Sequence, residues 1–518
     1  MKDAFDGFLR RLSAGAIALF ATLAVASPLS AAETTTIDGT LSVRWGDPHP
    51  SLGSGGGTFF RLQADDGRSL PIEITPQLAS VAITAHGRHV RVGGTAGAGI
   101  AGEQSFQATS LTVLPSPQDE QLAPAALTTK KVLFILLKYK SDAQTPHSAT
   151  FYKNLTNLDT ASTGMGIPAA ITQFYKATSY GRLAWKGDVA GVGGLAATGW
   201  LTLPKTKTGY ANCGWKGTCA DLDGIAADAL ALVKAQGVNV TAYDNLAFVL
   251  NDDLDCCAWG GGYTYGGKHY GATWEPPWGQ EAGTYVHEFG HSIGLPHSGW
   301  VYYAYDSPWD QMSRGTKPTQ LVCGSYNSAN SSNAVTKLYC SEPGSGFLTP
   351  YKAYLGWVPA SNIKTISTVS TTTVALEETA RPLGTAYKEV KICLKGEPCT
   401  GTTAHYLSVE ARIANARYER GLPGNGVVIH DVKMNRSSIT SNSCFFNLQF
   451  GWAMTIDSTP RDYDSVACSA GGRAYPNYGL YNAQFGVGKT YSNTTLGVKV
   501  QVVSSSSTGY TVKVTKSK

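Results

Sequence analysis

The sequence predicts an α+β catalytic domain, built on a mixed sheet and a metal-binding helix, with an all-β domain on either side. Three observations carry this reading. Short β-prone runs broken by Gly-rich turns fill residues 33–114 and return from about residue 365 to the end. Between them, apolar runs of strand length alternate with stretches of helical periodicity. In the middle of that central part lies His287-Glu288-Phe289-Gly290-His291-Ser292-Ile293-Gly294-Leu295-Pro296-His297, an H-E-x-x-H-x-x-G-x-x-H pattern without a departure.

Taken in order, Arg10 and Arg11 precede an apolar run from Ala14 to Ala26, followed by Pro28 and the small residues Ser30-Ala31-Ala32. This is the pattern of a secretory signal peptide over residues 1–32, and it predicts a protein exported from the cytoplasm. No later run is long and apolar enough to cross a bilayer, so no stable membrane insertion is expected. Thr40-Leu41-Ser42-Val43-Arg44-Trp45 and His89-Val90-Arg91-Val92 are typical of the strands expected in a small β domain over 33–114. Pro115-Ser116-Pro117 opens a linker expected over 115–130.

The catalytic domain is expected over 131–362. Val132-Leu133-Phe134-Ile135-Leu136-Leu137 suits a central buried strand. A helix should follow Pro168, burying Ile171, Phe174 and Tyr175. A second should run from Asp221, its cap, to about Ala235, with Ile225, Ala229, Leu232 and Val233 inward and Gly237 ending it. Residues 245–250 form a further strand before the motif helix. The C-terminal part, 363–518, should be a β-sandwich, closing in a hairpin whose strands are 497–503 and 509–514.

His287 and His291 are four residues apart, so a helix presents both imidazoles on one face. Gly294 can adopt a positive φ, which lets the chain leave the helix and return His297 as a third ligand. Three nitrogens leave one tetrahedral position of a zinc ion for water, as in catalytic rather than structural sites. Glu288 is placed to accept that water's proton while the metal polarises a carbonyl. The chemistry implied is peptide-bond hydrolysis on protein or peptide substrates.

The eleven-residue pattern also matches the long signature of the metzincin zinc peptidases, a resemblance that implies a methionine turn beneath the metal. Asp310-Gln311-Met312-Ser313 supplies it, with Met312 as an apolar floor. Two residues further on, where some metzincins carry a tyrosine ligand, stands Arg314. Gln173–Leu183 with Gly187-Asp188-Val189, and Tyr354-Leu355-Gly356-Trp357, resemble phrases of the immune inhibitor A and gametolysin groups, and Tyr406–Arg412 with Gly421–His430 resembles the region that follows the immune inhibitor A catalytic domain. In front of such a domain, residues 33–114 are a candidate propeptide or a permanent accessory domain. A propeptide here cannot cap the metal with a thiolate, because the first cysteine is Cys213; steric cover or a carboxylate such as Asp47 or Asp65 is needed.

The balance of 42 basic and 37 acidic residues gives no reason to expect nucleic acid as a partner, and a monomer is expected. Ten cysteines, all beyond the signal, predict disulfides: Cys323 with Cys340, Cys393 with Cys399, Cys444 with Cys468, and Cys213 and Cys219 with Cys256 and Cys257. Asp252, Asp253 and Asp255 are candidate calcium ligands, or a solvated acidic turn. Trp259, Trp274, Trp278, Trp300, Tyr302, Tyr303, Tyr305 and Trp309 are candidates for lining a substrate cleft, with packing in the core the expectation for most of them. Two rival functions stay open at this point: a surface-binding protein or adhesin with a vestigial metal site, and a hydrolase of cell-wall amides. Retention of Glu288 argues against the first.

Overall fold

The computed structural model describes residues 34–48, 56–97, 103–115, 127–158, 170–215, 218–298, 305–327, 335–436, 451–459 and 480–518. The expected signal peptide, most of the expected linker, and Pro168, Trp300, Tyr302, Tyr303, Cys444 and Cys468 lie outside these residues. The described chain is mostly β, and no helix in it is long and apolar enough to cross a membrane.

The central strand is Thr128–Lys138, so the last three residues assigned to the linker belong to it. Val132 to Leu137 are fully buried because helices cover both faces of the sheet. Val132, Phe134 and Leu136 point to one face, with Ile171, Phe174 and Tyr175 of the helix Ile171–Thr178 and with Val286 and Phe289 of the motif helix Ala282–Ser292. Leu133, Ile135 and Leu137 point to the other, with Ile225, Ala229 and Val233 of the helix Leu222–Ala235. Asp221 caps that helix by accepting the Gly224 N–H at 2.8 Å, as its position predicts. Thr128–Lys138 pairs in parallel with Leu183–Ala190 and with Asn245–Leu250, which pairs in parallel with Lys268–Glu275. Cys257–Tyr265 then adds antiparallel to Lys268–Glu275.

The expected small β domain has its own core, including Leu41, Val43, Phe60, Leu62, Val90 and Val92. Its sheet nonetheless does not end there. The strand Thr35–Pro48 pairs antiparallel with Cys257–Tyr265, so both units share one eleven-stranded sheet. The polar alternation of the N-terminal strands reveals a β unit; it does not reveal which foreign edge they complete.

The C-terminal part forms two sheets, of five and four strands, around a shared apolar core. Its closing hairpin joins Val498–Ser506 to Gly509–Lys516, a tighter turn than expected. It is fixed to the catalytic part by a buried ion network. Arg412 pairs with Glu410 at 2.9 Å and Glu419 at 2.6 Å and donates to the Trp309 carbonyl at 2.6 Å, all without solvent exposure beyond a few per cent. Glu410 also accepts the Thr349 N–H at 2.9 Å and meets His430 at 3.1 Å. Burial opposes ionisation of Glu410, but Arg412 and His430 outweigh it and hold the carboxyl far below its ordinary range. Of the disulfides, Cys323–Cys340 and Cys393–Cys399 are as expected. Cys256 bonds to Cys257, so neither reaches Cys213 or Cys219, which corrects the expected cross-link. Adjacent cysteines need no chain closure to meet, whereas bridging distant segments does.

Arg412→Met removes one cation from between two buried carboxylates. It should lower stability by about 3–5 kcal/mol, read as a shift of the urea midpoint. Glu419→Gln in the same background should recover part of the loss.

Candidate metal centre

Gly283 and Gly290 make the motif helix a poor helix by propensity, so its surroundings must hold it. Glu281 caps its start, accepting from Gly283 N–H at 2.9 Å and Thr284 N–H at 3.0 Å. The Tyr175 hydroxyl donates to the Val286 carbonyl at 2.8 Å, and the Gln311 amide donates to the Gly283 carbonyl at 2.9 Å. Its end is a Schellman turn. Gly294 N–H reaches the His291 carbonyl at 2.9 Å, Leu295 N–H reaches the Gly290 carbonyl at 3.0 Å, and Gly294 takes a φ of 92°. The turn brings His297 back over the helix, and Tyr351 fixes it by donating to the His297 carbonyl at 2.7 Å.

His287, His291 and His297 therefore meet. The Nε2 atoms of His287 and His291 are 3.1 Å apart, and those of His291 and His297 are 3.2 Å apart. The Nδ1 atom of His287 lies 2.7 Å from the Gln311 carbonyl, and that of His291 lies 2.7 Å from the Leu295 carbonyl. A carbonyl only accepts, so both Nδ1 atoms carry the proton, and in its neutral form each ring turns an Nε2 lone pair inward. Lone pairs facing each other at this distance repel unless a cation lies among them. The spacing also suits one, because metal–nitrogen bonds of about 2.0–2.1 Å in a tetrahedron place ligands roughly 3.3 Å apart. Burial opposes a positive charge on His297 and pushes His291 down to about 3, which keeps both imidazoles available as neutral ligands.

Met312 lies fully buried under the helix. A Cβ on Gly290 would collide with the Met312 sulfur, so glycine at this position is what allows the floor to approach. The turn that carries Met312 also supplies the Gln311 carbonyl that orients His287, and the Met312 carbonyl accepts from Ser298 N–H at 3.0 Å. Glu288 is fully buried on the same helix, and among the described residues neither of its carboxyl oxygens has a hydrogen-bond partner. Burial, then Asp47 and Glu275, pushes its carboxyl well above the usual range.

A fourth ligand-type residue joins the three histidines: Asp47, from the strand Thr35–Pro48. Its Oδ1 is 2.6 Å from His297 Nε2, and its Oδ2 is 3.4 Å from His291 Nε2 and 3.5 Å from His287 Nε2. Burial opposes its ionisation, but His297 and His287 outweigh this and hold the carboxyl well below its ordinary range. The Tyr305 hydroxyl donates to Asp47 Oδ1, and the Tyr305 ring sits 5.1 Å from that of His297. Tyr305 holds a φ of 60°, rare for a side chain of this size, and no sequence signal distinguished it from its aromatic neighbours.

Other candidates fall elsewhere. Asp65 pairs with His89 at 3.0 Å on an exposed surface. Asp252 meets Lys207 at 3.1 Å, Asp253 accepts from Tyr326 at 2.9 Å, and Asp255 accepts from the Cys257 N–H at 3.1 Å. Among the described residues these three carboxylates do not converge as a calcium site would require. Trp259, Trp274 and Trp309 are core rather than cleft.

Residues 102–332 match the family model of the gametolysin peptidase M11. Over this segment the chain resembles the gametolysin metallopeptidases. The match holds the three histidines, Glu288 and Met312, and falls on the gametolysin group of the two that the sequence suggested. It leaves out Asp47. No curated protein matches the chain.

Gly290→Ala should cost about 1–3 kcal/mol, because the added methyl meets the sulfur of Met312 in a closed core. Met312→Leu, close to volume-conserving, should cost less than about 1.5 kcal/mol. Thermal unfolding of the metal-loaded proteins measures both.

Proposed function

We propose that the protein is a secreted, zinc-dependent metalloendopeptidase that cleaves peptide bonds of extracellular proteins, with a metzincin-type catalytic domain. The observation that carries this is the convergence of three histidine Nε2 atoms beside a buried carboxylate that, among the described residues, accepts no hydrogen bond from a protein donor. A site meant only to hold metal needs no such carboxylate.

His287, His291 and His297 would hold the ion, which when bound supplies Lewis acidity to a carbonyl and lowers the pKa of water. Glu288 lies one residue from a ligand and is buried from bulk solvent, so it takes the proton of the attacking water and returns it to the leaving amine. Its pairing with protein donors would tie it down; their absence leaves it free for this transfer. Tyr305 presents its hydroxyl to a carboxylate oxygen at the centre of the site, which makes it the donor for the oxyanion that develops on the scissile carbonyl. Met312 supports the ligands from below without joining them. Residues 1–32 serve export, and the disulfides agree with an oxidising destination.

Casein hydrolysis is the direct test, on protein cut by limited proteolysis between residues 115 and 127, ahead of the central strand, and freed of the N-terminal segment. Glu288→Ala should lower the rate by about 10²–10⁴-fold at unchanged zinc content. Equal rates for the two proteins would refute the assignment of the base. A strong chelator should abolish hydrolysis, and added Zn²⁺ should restore it.

A further inference from the structure

We infer that the strand Thr35–Pro48 is a built-in occupant of the catalytic centre, with Asp47 as a fourth, internal ligand of the metal that holds the intact chain latent. This rests on the metallopeptidase reading of the three histidines and adds to it a ligand from outside the matched segment. The Asp47 carboxylate stands on the open side of the histidine triad, with its two oxygens divided among all three rings. That is the position a water molecule and a substrate oxygen need. The Tyr305 hydroxyl, which would serve the oxyanion, is spent on the same carboxylate.

The strand is held in register on both sides of Asp47. Arg44 pairs with Gly261, Trp45 with Gly260, Gly46 with Trp259, Asp47 with Ala258 and Pro48 with Cys257. It thereby covers the antiparallel edge strand beside the motif helix, the edge on which an extended chain would otherwise lie. Trp45 stacks flat on His291, with ring centroids 4.6 Å apart and planes 9° from parallel, and it is almost fully buried. Arg44 anchors the strand from the far side. Its guanidinium pairs with Asp223 at 2.7 Å, donates to the Gly262 carbonyl at 3.2 Å and lies 5.1 Å above the Trp274 ring. Arg61, also from the N-terminal unit, takes the second oxygen of Asp223 at 3.1 Å. Ser80 of the helix Pro76–Thr84 donates to the Arg436 carbonyl of the C-terminal part. The N-terminal unit thus holds the body at separate contacts while one carboxylate fills the centre. In consequence none of the three histidines is more than 6% exposed.

The test uses the full chain loaded with Co²⁺, whose visible absorption reports its ligands, and acetohydroxamate as a small probe that needs an open metal position. In the wild type the spectrum should not respond to acetohydroxamate, and casein should be cleaved slowly. Asp47→Ala should shift the Co²⁺ spectrum, make it responsive to acetohydroxamate and raise casein hydrolysis by about tenfold or more. Asp47→Asn, nearly isosteric, serves as the folding control and should shift the spectrum in the same direction. Arg44→Ala leaves the ligand in place but removes its anchor, and should give an intermediate response. A wild-type spectrum that already responds to acetohydroxamate as the Asp47 variants do would overturn the internal ligand. Opening of the metal to acetohydroxamate without any peptide hydrolysis would instead uphold the ligand and refute the peptidase reading.

Discussion

Three imidazole Nε2 atoms brought to one point, two of them with the proton fixed on the opposite nitrogen, are a repulsive arrangement in the absence of positive charge, and the rest of the structure is arranged to impose it. Each ring is steered by a carbonyl or a backbone turn. Gln311 orients His287, Leu295 orients His291, and the Schellman turn at Gly294 delivers His297. These supports come from separate stretches of chain, so the centre is set by tertiary packing and not by the helix alone. The methionine turn has a double duty, since Gln311 guides a ligand while Met312 fills the space that Gly290 leaves. Arg412 extends this support outwards. By donating to the Trp309 carbonyl it ties the turn to the C-terminal sheets, which therefore act as a brace for the floor of the site.

Much of this was legible in the sequence, for physical reasons. A motif with fixed spacing states its own geometry once the helix is granted, and Gly294 marked where the helix must break. The central strand was legible because burial on both faces leaves an unbroken apolar run, and the helix at Leu222–Ala235 because its cap and its stripe agree. What the sequence concealed were relationships between distant segments. The pairing of Thr35–Pro48 with Cys257–Tyr265 leaves no mark on either strand, since ladder hydrogen bonds are made by backbone and serve any side chain. Asp47 and Asp65 look alike in the chain; only the register separates a carboxylate among the three buried histidines from one at an exposed His89. The tryptophans were ambiguous for a similar reason. Large aromatic rings suit a cleft and a core equally well, and Trp259, Trp274 and Trp309 were recruited by the core. Adjacent cysteines likewise suggested two partners elsewhere when their nearest partner was each other.

The position of Asp47 among the three histidines also explains why its holding strand needs so many fastenings. A carboxylate brought into a buried site loses its hydration, and that cost is offset only while the cationic centre and the Tyr305 hydroxyl stay in place. Taken alone, such a contact would compete poorly with water and with substrate. Continuous strand pairing, the stacked Trp45 and the shared Asp223 clamp spread the hold over surfaces that are remote from the metal. A ligand of modest intrinsic strength thereby becomes a persistent one.

That distribution determines how the hold can be released. While the N-terminal unit and the catalytic body are one chain, the unit is held at a high effective concentration beside its groove, and a fluctuation that opens the edge is followed by re-pairing. Severing the connection between residues 115 and 127 would not weaken any contact in the site. It would make the same contacts bimolecular, so that dilution favours departure of the unit, exposing the antiparallel edge and the open side of the histidine triad together. Because Asp47, Trp45 and Arg44 sit on one strand, they leave as a set: metal position, ring face and sheet edge become available in a single event, with no rearrangement needed in the motif helix, the Schellman turn or the methionine floor.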